Sequence, residues 1–204
     1  HAVLGSGLDN DAGDPTWGLE CCEIPEVVVS EGDCLDFNGE DNFVSIPQEV
    51  GEQLGDGDFT FEASINGLED ENWHGGILSN RTGLNQGFHL HVHNQWGDSQ
   101  HKMLALRYNG TNWFFIDNGE YDDVLLDGEC HHVAVTKSNG TLSFYIDGQL
   151  IGEKINQADV DLNTGAPILI GNDDYSNADF NGHINDVRIW NISRSQEEII
   201  EGIN

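Results

Sequence analysis

The clearest pattern of hydrophobic and polar positions runs from His131 to Gly152, HHVAVTKSNGTLSFYIDGQLIG. Val133 and Val135 alternate with Ala134 and Thr136, and Leu142, Phe144 and Ile146 alternate with Ser143, Tyr145 and Asp147. A period of two gathers one set of side chains on one face of a strand. Asn139-Gly140 between the runs tolerates the positive φ of a tight hairpin turn. The stretch therefore predicts two antiparallel strands, with Asp147-Gly148 turning the chain again. Similar alternation recurs from Phe59 to Ile65, in Phe88-His89-Leu90-His91-Val92-His93, and from Met103 to Tyr108. Short strands separated by Gly, Asn and Asp, without helical periodicity between them, predict an all-β antiparallel sandwich. One short C-terminal helix is expected from Ser195 to Glu201, opened by Ser195 and Glu198 as a capping box.

Residues 1–33 read differently. Gly, Asp, Glu and Pro are frequent there, and strand character is confined to Glu26–Val29. This segment is expected to be an extension or linker, and residues 34–204 the sandwich. Asp9-Asn10-Asp11-Ala12-Gly13-Asp14 spaces carboxylates as a calcium loop does, but without flanking helices it reads as solvated linker. The four cysteines, Cys21, Cys22, Cys34 and Cys130, form an even set without CxxC spacing, so two disulfides in an exported protein are expected rather than a zinc site. Asn-x-Ser/Thr sequons begin at Asn80, Asn109, Asn139 and Asn191.

Charge narrows the partners. Seven Lys+Arg against 37 Asp+Glu give a formal net charge of -30, which disfavours nucleic acid and anionic membranes. No apolar run approaches the roughly 20 residues of a membrane-spanning helix, so no membrane insertion is expected. Calcium, cationic surfaces and glycans remain.

The phrases LDFNGEDNFVSIP, FTFEASI, HHVAVT, LSFYIDGQLIG, ILIGN, FNGHINDVRIWN and SRSQEEI, in that order, resemble the laminin-G-like, concanavalin A-like jelly-roll family from about Leu35 to Asn204. The resemblance implies a jelly roll used by lectins, adhesion modules and glycoside hydrolases alike. It also implies calcium tying the first strand to the last. The matching positions are Asn38, Asp41, Asn42 and Asp186, where Asn38 replaces a frequent Asp of the family.

Three features carry candidate chemistry. In FHLHVH the apolar residues take the core face, so His89, His91 and His93 share the opposite face, suited to glycan contact or, with Glu62 as a contributor, to a metal. Trp73, Trp96, Trp113 and Tyr175 lie in segments rich in Gly, Asn and Asp, where aromatic rings stack on sugars and polar neighbours take hydroxyls. Asp173 follows the strand Ile168–Ile170 and is expected at the rim beside Tyr175. Hydrolysis needs paired carboxylates, and the E-x-D-x-x-E spacing of related β-glucanases is missing from these strands. The expected function is a secreted or cell-surface, calcium-supported carbohydrate-binding or adhesion module, not an enzyme. It would bind a polysaccharide or glycoprotein glycan through Trp73, His89, His91, Trp96, Asp173 and Tyr175. A protein-recognition module with a protein partner is the alternative, and a glycoside hydrolase the third reading.

Overall fold

The computed structural model describes residues 16–17, 35–68, 74–83, 86–93, 103–108, 112–115, 124–173 and 178–203. The strands are β1 (Thr16–Trp17), β2 (Leu35–Asn38), β3 (Val44–Ile46), β4 (Phe59–Gly67), β5 (His74–Ser79), β6 (Phe88–His93), β7 (Met103–Tyr108), β8 (Asn112–Phe115), β9 (His131–Ser138), β10 (Thr141–Ile146), β11 (Gln149–Lys154), β12 (Ile168–Ile170) and β13 (Asn181–Trp190). They form a seven-stranded sheet, β1-β2-β13-β4-β9-β10-β11, and a six-stranded sheet, β3-β12-β5-β6-β7-β8. Every pairing between these strands is antiparallel. The all-β antiparallel sandwich is thus observed.

The hairpin read from the sequence is present. Ser138 pairs with Thr141 across Asn139 (φ 47°) and Gly140 (φ 78°), and Ile146 pairs with Gln149 across Asp147 (φ 50°) and Gly148 (φ 71°). Two-residue loops with both central φ angles positive match the twist of the flanking strands. Between the sheets lies one core. Phe59, Phe61, Ala63 and Ile65 of β4 face Phe88, Leu90 and Val92 of β6, and the Phe61 and Phe88 rings stack with centroids 4.3 Å apart.

Ser195 Oγ accepts the Glu198 N–H at 3.3 Å, while the Ser195 N–H donates to Glu198 Oε2 at 2.8 Å. That is the expected capping box, and it opens α2 (Gln196–Ile203), which follows a short α1 (Gln48–Gly51). The α1 turn and a 3-10 turn at Val124–Leu126 are not signalled by periodicity. On α2, Ile199 is buried with Ala134 and Tyr145 on the outer face of the seven-stranded sheet. Two residues of the segment read as an extension, Thr16 and Trp17, pair with Asp36 and Leu35. The rest of residues 1–33 lies outside the described residues. Asn80 is buried, its Oδ1 accepting the Phe88 N–H at 3.0 Å and its Nδ2 donating to the Leu162 carbonyl at 2.7 Å, which closes that sequon in the folded chain.

Candidate functional site

Strand alternation sends His89, His91 and His93 to the outer face of the six-stranded sheet, as the sequence predicts, but the residues are 0%, 0% and 3% exposed. The expectation of an open histidine row is therefore corrected. The His89 and His91 rings stack with centroids 4.2 Å apart, and His93 meets His91 edge-on at 6.0 Å. His91 Nδ1 donates to the His89 carbonyl at 3.2 Å.

Asp173 is also buried rather than at the rim. Its Oδ2 accepts from Arg81 Nη1 at 2.7 Å, its Oδ1 accepts from Ser79 Oγ at 2.7 Å, and His89 Nδ1 stands 3.6 Å from Oδ2. Ser79 Oγ in turn accepts the Arg81 N–H at 3.2 Å. The physical reason is the path of the chain after β12. Instead of leaving the sandwich edge, it folds back along β5, where Gly76 N–H donates to the Ala178 carbonyl at 3.0 Å. A Cβ at Gly76 would lie 2.5 Å from that oxygen and 3.1 Å from Asp173 N, so only glycine allows this approach.

A bulge in β5 between Gly76 and Leu78 shifts its phase against β6. Ile77 and Leu78 both enter the core, and Ser79 comes out opposite His89. Arg107 of β7 pairs with the other side of His89. Directly opposed residues project to the same face, so Ser79, His89 and Arg107 form a row across three strands. Sequence reasoning missed Ser79, Arg81 and Arg107. The signal was composition, since each arginine is one of only seven cations in a chain of charge -30.

Glu62 does not join the histidine row, which corrects that expectation. It lies in the other sheet, on the outer face of β4, beneath α2. Arg194 Nη1 donates to its Oε1 at 2.6 Å, while His132 Nε2 lies 3.3 Å and Arg188 Nη1 3.8 Å from Oε2. Burial pushes the Glu62 carboxyl up, but hydrogen bonds and charge from His132 and Arg194 outweigh it and hold the group below its ordinary range. Arg188 Nη1 also donates to the Gly202 carbonyl at 2.7 Å, and the Arg194 guanidinium sits 4.9 Å over the Trp190 ring. This cluster fastens α2 to the sheet.

A third polar group lies at the sandwich end. His131 Nδ1 is 2.8 Å from Asp147 Oδ2 and its Nε2 is 3.3 Å from Asp127 Oδ1. The Asp147 hydrogen bond raises the His131 pKa against the opposing effect of burial. For Asp147, burial is outweighed by bonds from His131 and the His132 N–H, and its pKa is lowered.

The four residues implied as calcium ligands are not brought into one shell. Asn38 Oδ1 accepts the N–H groups of Glu40, Asp41 and Asn42 at 2.9, 3.2 and 3.4 Å, and Asn38 Nδ2 donates to Asp41 Oδ1 at 2.8 Å. The loop therefore satisfies itself. Asn38 pairs with Asn181, five positions before Asp186 on β13, a separation of about 15 Å along a strand. Asp186 is held instead by Arg188, whose Nε donates to Oδ1 at 3.0 Å. A calcium ion tying Asn38, Asp41 and Asn42 to Asp186 does not fit this geometry. Trp73, Trp96 and Tyr175 lie outside the described residues, as does the Trp113 side chain.

The model of the concanavalin A-like lectin/glucanases superfamily matches residues 38–200. The chain belongs to that superfamily. No curated protein sequence matches it. Among superfamily-like folds, it is similar to domain 4 of AbnA, a GH43 extracellular arabinanase from Geobacillus stearothermophilus in complex with arabinotriose, at 16% identity and TM-score 0.68 over 96% of this chain and 84% of that one. It is also similar to the heptameric SAP-like pentraxin of Limulus polyphemus, at 18% identity and TM-score 0.63 over 82% and 80%. A third likeness is to the CBM40 of Ruminococcus gnavus IT-sialidase bound to α2,3 sialyllactose, at 16% identity and TM-score 0.57 over 73% and 83%. At these identities the shared property is the fold.

Proposed function

We propose that this chain is a non-catalytic carbohydrate-binding module whose ligand lies over the outer face of the six-stranded sheet. The observation that carries the reading is a convergence of chain segments at one corner of that face. His74 and His93 are paired; Trp73 immediately precedes the first, and Trp96 follows the second by three positions, within about 11 Å of chain reach. Asp173 and Ala178, which flank the segment bearing Tyr175, both meet Gly76, two residues from His74. The described chain positions that lead into the segments bearing Trp73, Trp96 and Tyr175, residues of the kind that stack on sugars, thus meet beside a buried polar floor. Similar folds carry arabinotriose and sialyllactose, which supports a saccharide as ligand.

Binding rather than hydrolysis is favoured because none of β3, β5, β6, β7, β8 and β12 contains Asp or Glu, whereas a glycosidase needs two carboxylates placed across the bond it breaks. The reading includes export, supported by Cys130 not being a free thiol. Calcium belongs to the reading only at the Asn38–Asn42 loop. The test is oligosaccharide binding by calorimetry and glycan array, with Trp96→Ala expected to weaken binding by roughly 1–3 kcal/mol at unchanged Tm. Absence of binding to any saccharide, or full affinity in both Trp96→Ala and Trp73→Ala, overturns it.

A further inference from the structure

Cys130 stands immediately before β9 and is held in a disulfide. Asn66 Nδ2, on the outer face of the seven-stranded sheet, approaches its Sγ at 4.0 Å. The other half of the bond comes from Cys21, Cys22 or Cys34, all outside the described residues. The strand register decides among them. Leu35, which follows Cys34, pairs with Ile184; Ile184 pairs with Ile65, and Ile65 with His131, which follows Cys130. Leu35 and His131 are therefore three strand spacings apart, about 14 Å. A disulfide holds its two Cα atoms within roughly 7 Å. Each cysteine is one Cα step, about 3.8 Å, from its neighbour in that row. A bond between Cys34 and Cys130 would thus need both steps to point straight at each other across β13 and β4. The steps run along the strands instead, and in opposite senses. Cys130 continues toward the row of Asp36, His183 and Asn66, whereas the chain enters β2 on the side of Leu35 away from Asp36.

From this we infer that Cys130 is bonded to Cys21 or Cys22, and that the N-terminal extension is a covalent part of the module rather than a linker ahead of it. Trp17, paired with Leu35 on the side of β2 away from β13, anchors that segment at the sheet edge. Cys21 and Cys22 follow it by four and five positions, about 14–18 Å of extended chain. Trp17 is four strand spacings from His131, about 19 Å, and the bridge itself spans part of that distance, so the reach suffices. The connection then crosses β2, β13 and β4. Two atoms on that part of the face, His183 Nδ1 and Asn185 Oδ1, are buried without a hydrogen-bond partner, and a segment crossing above them accounts for their burial. The bond closes a loop on the order of 100 residues, and a cross-link of that span strongly restricts the unfolded chain. It belongs to the seven-stranded sheet, so it leaves the outer face of the six-stranded sheet open.

Peptide mapping of the full, unreduced chain by mass spectrometry tests the inference. Cleavage after glutamate separates the candidates: Cys21 and Cys22 fall in residues 21–23, Cys34 in residues 32–40 and Cys130 in residues 130–153. The expected result is that residues 130–153 are recovered joined to residues 21–23, with or without residues 32–40 on the second cysteine, and that the pieces separate on reduction. Residues 130–153 joined to 32–40 without 21–23 would overturn the inference. So would a free thiol at Cys130, or a bridge between two copies of the chain. Alkylation with iodoacetamide in denaturant, without reductant, gives a second readout that needs no stable fold. Cys34→Ser should leave Cys130 unalkylated. The double variant Cys21→Ser/Cys22→Ser should leave both Cys34 and Cys130 alkylated, because they stand too far apart to pair. Alkylation of Cys130 in Cys34→Ser, or its protection in the double variant, overturns the assignment.

Discussion

Arg81 and Asp173, 92 positions apart in the chain, meet at 2.7 Å with side chains 2% and 0% exposed. Removing one member of such a pair strands a charge in a site built for two. Asp173→Ala should therefore destabilise the fold by about 3 kcal/mol, whereas a double apolar replacement of both residues should cost less than the single change. Urea denaturation of the three proteins measures this. A single variant as stable as the parent would contradict the buried pair.

The His131 clasp has a defined pH window. Because the folded pKa of His131 is raised above its ordinary 6.5, its contribution is complete below that value and is lost as pH rises through the raised one. Because the folded pKa of Asp147 is lowered from 3.8, its contribution is present above that value and is lost as pH falls through the lowered one. Between these limits the clasp is at full strength. Tm should decline as pH is raised beyond neutrality, and His131→Gln should flatten that decline. An identical pH profile in His131→Gln would assign the slope to other groups.

Glu62 makes the seven-stranded sheet depend on α2. Arg194→Ala leaves a carboxylate with no exposed side-chain surface short of its nearest partner, and the expected loss is about 3 kcal/mol. Ser195→Ala removes only the cap and should cost about 1 kcal/mol. Thermal melts of the two variants should rank in that order.

Metal dependence separates two loops. Any fall in Tm on adding a chelator is expected to disappear in Asp41→Asn and to persist unchanged in Asp186→Asn, because Asp186 is engaged by Arg188 far from Asn38. Loss of the chelator response in Asp186→Asn would restore a shared site.

Much of this was legible in the sequence, for local reasons. Asn139-Gly140 and Asp147-Gly148 specify their turns through backbone conformation, and FHLHVH assigns faces by alternation alone. What alternation does not encode is depth. Whether His89 is open or buried depends on segments that cross the face from elsewhere, and Asp173 reaches Gly76 only through the fold-back after β12. Nor does alternation say which sheet a strand joins, which is why Glu62 belongs with α2 rather than with the histidines. Asp186 escaped for another reason: β13 changes register against β4 between Asn185 and Arg188, and a positive φ of 50° at Asp186 turns its carboxylate toward Arg188.

The position of β13 also governs the order of assembly. This strand, close to the end of the chain, lies between β2 and β4 and supplies the hydrogen bonds that join them. During synthesis, β4, β9, β10 and β11 can pair as soon as they emerge, but β2 must wait for residues 181–190. Until then the facing edges of β2 and β4 present unpaired N–H and C=O groups, open to capture by another chain. Closure of this sheet is thus a late, long-range event of the kind that slows folding. A chain stopped before residue 181 should separate the sheet into two parts and aggregate, although every residue around Arg81, His89 and Asp173 would still be present.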